Sequence, residues 1–247
     1  MSDRKRRFLR YAGLSLVRCE DFLRQWLGNQ GYILLLSVVV GLLSGLAAVT
    51  LKTLTESCHH LARQAEGNWV EWIAPALPAA GILFCVIFVK LFVKGSYDKS
   101  LANVIVATTN GTSDIPKQKT YSHIITSGIC VGLGGSAGLE APIALTGSAI
   151  GSNVAKVLRT GLETRTLLLA CGGGAGISAI FNSPVAGALF ACEILLPSFS
   201  VPALVPLLLA SATAAVLSET LYDNQPFVQL SSGWSSVNIP FYVVLGV

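Results

Sequence analysis

The chain has 247 residues, 52% of them hydrophobic and only 12% charged, with a mean hydropathy of +0.64. Soluble domains carry about twice that charged fraction. After Asp114 the acids are Glu140, Glu163, Glu193, Glu219 and Asp223 alone, which leaves stretches long enough to cross a roughly 30 Å hydrocarbon core. These values exclude a soluble globular protein and predict an all-α polytopic membrane protein. The net charge of +4 does not call for a nucleic-acid partner, because seven of the 17 Lys and Arg fall within the first 24 residues, ahead of an apolar run.

In chain order, residues 5–27 read as an amphipathic helix on the membrane surface, with Phe8, Leu9, Leu14, Phe22, Leu23 and Trp26 on its apolar side. The basic residues place the N-terminus in the cytoplasm. The run that follows is too long for a signal h-region and has no early cleavage site. Residues 31–54 make a first full span, with Gly41 and Gly45 spaced for close helix packing. The polar run 55–71 is expected to be an external loop, and 72–94 to return the chain to the cytoplasmic side, where Lys99, Lys117 and Lys119 follow. "SCHH" at 57–60 gathers Cys58, His59 and His60, but adjacent side chains diverge and no partner cluster exists elsewhere, so a loop or helix end is expected and no metal site. The six cysteines show no CxxC pairing, and four lie in apolar segments, where cysteine acts as a small hydrophobe.

Between Tyr121 and Leu196 the apolar segments shorten to about 121–133, 142–158, 166–179 and 184–196, broken by glycine, proline and asparagine. Backbone that stops inside a bilayer must be buried in protein or line a wet cavity. Ion-transport proteins use such broken helices to aim half-helix N-termini at an anion. A long span of about 201–221 follows, with Pro202 in its first turn. The polar run "DNQPFVQLSSGWSSVN" then leads to "IPFYVVLGV", the start of another apolar helix and the pattern of a truncated or partial sequence. Three regions result: a cytoplasmic amphipathic helix over 1–30, a membrane repeat over 31–222, and an inter-repeat loop with the start of a second repeat over 223–247.

The chemistry concentrates in "GSAGLEAPIALTGSAIGSNV" (135–154). Pro142 suits the first turn of a helix, which makes Gly138, Leu139, Glu140 and Ala141 its entry. Their N–H groups lack intrahelical acceptors and carry the positive end of the helix dipole, so they form an anion site. Glu140 is itself an anion placed there. Deprotonated, its carboxylate folds onto the amides; protonated or swung away, it yields to a halide, and a tethered competitor of this kind is a gate. The blander alternative is a structural glutamate capping the helix, against which stands the cost of an intramembrane carboxylate. A phosphate-loop reading of "GLGGSAG" lacks a preceding strand and a following GK[ST]. A second glycine-rich stretch, 171–195, breaks at Phe181-Asn182-Ser183-Pro184 and carries Glu193 near its end.

"GLEAP" (138–142) resembles the G-[RK]-E-G-P signature of the CLC family of chloride channels and chloride/proton antiporters. "AIFNSPVAGALFACE" (179–193) resembles that family's A-x-F-x-[AS]-P-[LIV]-[AG]-G-x-[LI]-F-x-x-E segment. The resemblance implies a CLC-type fold of broken, tilted helices, here the first half of an inverted-repeat architecture. It also implies a homodimer in a plasma or inner membrane, with a chloride pathway in each subunit, no cofactor and no enzymatic reaction. Glu140 then matches the gating glutamate, the amides of Gly138, Leu139, Glu140, Ala141 and Ile143 the anion-binding helix entry, and Pro142, Phe181, Asn182, Pro184 and Glu193 the motif's structural positions.

Three departures qualify it. The family's G-S-G-[IL]-P serine finds only Ser100 in "DKSLANVI" (98–105), which reads equally as an ordinary helix cap. Leu139 replaces a usual basic neighbour of the gate. Ile194 stands where antiporters of the family often carry a second, proton-transferring acid. Voltage- or pH-gated passive chloride conduction is therefore expected ahead of a chloride/proton antiporter or a fluoride exporter. A product that does not transport without its second half is the remaining alternative.

Overall fold

The computed structural model describes residues 3–69, 76–93, 101–198 and 200–222, with the backbone alone for 3–25, 65–69 and 92. Among the described residues every regular element is helical: α1 (Asp3–Trp69), α2 (Ala76–Phe92), α3 (Ala102–Thr109), α4 (Lys119–Gly132), α5 (Glu140–Val157), α6 (Leu162–Phe181), α7 (Pro184–Phe190) with a π-helical turn (Ala191–Leu195), and α8 (Val201–Leu221). Within α1 the helical backbone breaks at Gly28 (φ 70°, ψ 169°), a conformation open to glycine because it has no Cβ. Ser100 and residues 223–247 lie outside the described residues.

The expected external loop over 55–71 is corrected: α1 continues through it to Trp69. The run "TESCHHLARQAEGNW" lacks proline and is rich in helix-forming Leu, Ala, Glu, Gln and Arg. Its polarity marks where the helix leaves an apolar environment, not where the helix ends. At 1.5 Å per residue the part beyond Gly28 is about 60 Å long, twice a hydrocarbon core. Along it Thr50, Thr53, Thr55 and Ser57 each donate their hydroxyl to a carbonyl one turn back at 2.7–2.8 Å, which lets polar residues ride on a membrane helix. Cys58, His59 and His60 lie on this helix. The expected short segment 166–179 is likewise longer, since α6 runs 20 residues. Among the described residues three helices are long and apolar enough to cross a membrane, those containing Trp26–Gln64, Leu162–Phe181 and Val201–Leu221.

α5 and α6 form the centre. Every residue from Ile143 to Ser152 of α5 and from Leu168 to Ile180 of α6 is buried, the pattern of a helix surrounded by others. They run antiparallel with backbones in contact: a Cβ on Gly147 would overlap the Gly172 carbonyl, and one on Gly151 the Leu168 carbonyl. α1, α4, α7 and α8 pack around this pair. Gly41 and Gly45 face α8 at Ala210, Thr213 and Ala214, which is the role their spacing suggests.

Two polar ties hold the ends. Lys52 Nζ donates to the Ala179 carbonyl (2.8 Å) and to Ser218 Oγ (3.1 Å), and Ser218 donates to the same carbonyl (2.8 Å). A cation thus sits at the C-terminal end of α6, where the dipole is negative. At the opposite end Ser152 Oγ donates to the Ser113 carbonyl (2.7 Å) and accepts from the Ile115 N–H (3.2 Å), pinning the loop before α4 to α5.

Candidate functional site

The approach to Glu140 is set by how α4 stops. Gly134 takes φ 92°, and the Gly135 N–H returns to the Cys130 carbonyl at 2.9 Å, an αL termination that only glycine makes without strain. Residues 135–138 then run without regular structure to Leu139, and α5 begins at Glu140. Pro142 is its third residue, inside the first turn.

The Ile143 N–H donates to the Leu139 carbonyl at 3.1 Å. Ile143, expected among the free donors, therefore has its amide committed to the helix. Pro142 has none. The N–H groups of Leu139, Glu140 and Ala141 remain without an intrahelical acceptor, because each precedes the first complete turn. Glu140, Ala141 and Gly138 are exposed, whereas Leu139 is buried with 3% of its surface accessible. Leu139 serves as an apolar anchor for the helix start.

The Glu140 carboxylate curls back toward the chain that precedes it. Its Oε2 fills the space a Cβ on Gly138 would occupy. Gly138 is required here for room, not for an unusual φ. Gly138→Ala is expected to displace the carboxylate from this position. If the folded-back pose is the closed one, the variant raises anion flux severalfold at neutral pH and flattens its pH profile. Unchanged flux would separate the pose from gating.

The second motif ends at the same side of the fold. α6 runs antiparallel to α5, and a Cβ on Gly176 would lie 2.9 Å from the Ile143 carbonyl oxygen, so the C-terminal end of α6 lies toward the α5 entry. Asn182 closes α6 in the left-handed conformation (φ 52°), Ser183 is extended, and Pro184 starts α7. Phe181 is 44% exposed. α7 then turns back along α6 through a close approach of Gly187 to Gly174. Glu193 and Ile194 fall in the π-helical turn, away from this end, where Leu195 reaches Gly173. Glu193 is exposed and Ile194 packs against the core. The structure thus brings Glu140 and the Phe181–Pro184 break to one end and sets Glu193 and Ile194 apart from both. π-helical turns frequently occur at functional sites, and no sequence pattern marks this one. The Lys52 tie to α6 also goes beyond the sequence motifs; its one signal is a lysine inside an apolar span.

A cavity of about 420 Å³ lies behind the entry segment, between α2 and α4, and Gly138 and Pro142 form part of its wall.

The sequence profile described as voltage gated chloride channel matches residues 81–247, more than half of the chain. The chain belongs to this family. A ClcB-like protein of Ralstonia nicotianae is 28% identical over 185 residues, covering 71% of this chain and 42% of the relative. The H(+)/Cl(-) exchange transporter ClcA of Vibrio cholerae is 28% identical over 182 residues, covering 68% and 37%. The chain therefore spans about two fifths of the length of these relatives. Among solved structures, that of a slow cyanobacterial Cl−/H+ antiporter superposes with a TM-score of 0.69 at 20% identity, covering 87% of this chain and 53% of that one. The fold is that of a CLC membrane protein, and the family is one of chloride transport.

Proposed function

We propose that this chain supplies the gated half of a chloride pathway across a membrane, with Glu140 as the gate. The observation that carries the reading is the α5 entry. Three backbone N–H groups lacking intrahelical acceptors stand at the positive end of a buried helix, and a single carboxylate is folded over the chain that leads into them. Chloride and the ionised carboxylate compete for the same field, so protonation of Glu140 favours the ion. Amides of Leu139, Glu140 and Ala141 hold the anion, Gly138 gives the carboxylate room, and Pro142 stiffens the first turn. Ser100 is proposed as an additional hydroxyl donor. Glu193 serves as a structural acid of the second motif.

Ile194 favours passive conduction, because an isoleucine cannot accept or release a proton. The exchange reaction in the name of the Vibrio relative favours a second reading, in which chloride and protons move in opposite directions and Glu140 carries the proton as well. The two are separated by reconstituting the full-length protein in liposomes and imposing a chloride gradient. Passive conduction predicts chloride efflux without uphill proton movement. Proton accumulation against its gradient would establish exchange, and a parallel fluoride gradient tests the third family activity. The pathway is proposed to work in a homodimer, in a plasma or inner membrane, with the N-terminus cytoplasmic.

A further inference from the structure

The cavity between α2 and α4 has a volume of about 420 Å³, within the 300–1,000 Å³ range of small-molecule sites. Its walls are chiefly apolar, with Val86 and Val89 from α2 and Leu145 from α5. Two of the polar groups between them are used within the protein: Cys85 Sγ donates to the Thr126 carbonyl (3.2 Å), and the Thr126 hydroxyl donates to the Ser122 carbonyl (2.9 Å). Among the described residues Lys90 carries the one permanent charge in the lining. It lies in the last turn of α2 and is exposed. Among the described residues the outer face of α2 is apolar, with Leu83 62%, Ile87 48% and Leu91 65% exposed, which suits the cavity to an apolar ligand.

We propose that this cavity binds a long-chain anionic amphiphile, its acyl chain lying along Val86 and Val89 and its head group on the Lys90 ammonium. Each buried methylene adds about 0.8 kcal/mol, and the charge at one end fixes the orientation. The bound chain lies against Gly138 and Pro142. Binding does not depend on whether Glu140 gates.

Cys85 and Cys130 line the cavity and Cys58 does not, which provides a readout independent of ion flux. The full-length protein in neutral phosphatidylcholine nanodiscs is treated with a small maleimide, and labelling at each cysteine is followed by peptide mass. Palmitate at about ten times its dissociation constant is expected to slow labelling of Cys85 and Cys130 about tenfold and to leave Cys58 unchanged. Lys90→Gln, a change at an exposed position, is expected to weaken this protection severalfold. Protection by phosphatidylglycerol placed in the nanodisc identifies a membrane lipid as the source; protection by palmitate alone identifies a free acid. Equal protection by hexadecanol overturns the pairing with Lys90. Cysteines that fail to react without palmitate, or that react equally with it, overturn the site.

Discussion

Replacing Glu140 by glutamine is expected to preserve anion flux while removing its dependence on pH. Glutamine has the shape of the protonated side chain and no ionised form, so it cannot compete with chloride for the positive end of α5. In the wild type, flux rises as pH falls, because protonation removes the competitor. Flux in the wild type should therefore differ severalfold or more between about pH 4.5 and pH 7.5, and in Glu140→Gln by less than about twofold. Any proton coupling should disappear in the same variant. Liposome chloride efflux at the two pH values, with proton movement recorded in parallel, makes the comparison. A wild-type pH profile in Glu140→Gln would show that Glu140 is a structural cap and that another group titrates. The variant is expected to fold, because the side chain is exposed and the α5 core begins three residues later at Ile143.

The parts of the fold that were legible in the sequence are those where one residue type dictates backbone geometry. Pro202 lies in the first turn of α8, Asn182 and Pro184 bracket the break between α6 and α7, and Gly41 and Gly45 mark a helix contact, each as the sequence indicates. The position of Glu140 was legible for the same reason: Pro142 limits where the helix can begin. Boundaries read from hydropathy fared worse. The 55–69 segment is polar and helical, because exposure to water and helix formation are separate properties. Free amides could be counted only approximately, since a shift of one residue in the helix start decides whether Ile143 is a free donor or bonded to Leu139. Pairings over long separations were not legible at all. Lys52 finds a carbonyl 127 residues away, and the α2–α4 cavity depends on how two helices meet.

Gly147→Ala is expected to be among the most destabilising single changes in the chain, although it adds only one methyl group. The added Cβ would overlap the Gly172 carbonyl, and a Cβ on Gly172 would overlap the Gly147 carbonyl. The contact is reciprocal and is made by backbone on both sides, so no side chain can rotate away. The helices must separate instead, loosening an interface that also includes Gly151 against Leu168. Overpacking usually costs about 1–3 kcal/mol. Separation also weakens dispersion attraction along the rest of the interface, so the upper end or more is expected here, against a total stability of about 5–15 kcal/mol. The readouts are the monodisperse fraction after detergent extraction and the thiol reactivity of Cys171, which is fully buried beside Gly172 and should become labelled as the helices part. Gly161→Ala is the control. It has open space around its Cβ position and a φ of −59° that alanine adopts freely, so it should change stability by less than about 0.5 kcal/mol. Normal yield and a protected Cys171 in Gly147→Ala would show that α5 and α6 are not in backbone contact. The same separation would move Ile143 relative to Gly176, and with it the helix entry that holds Glu140. Residual folded Gly147→Ala protein should therefore also lose the pH dependence of flux, linking the glycine contact in the core to the carboxylate at its edge.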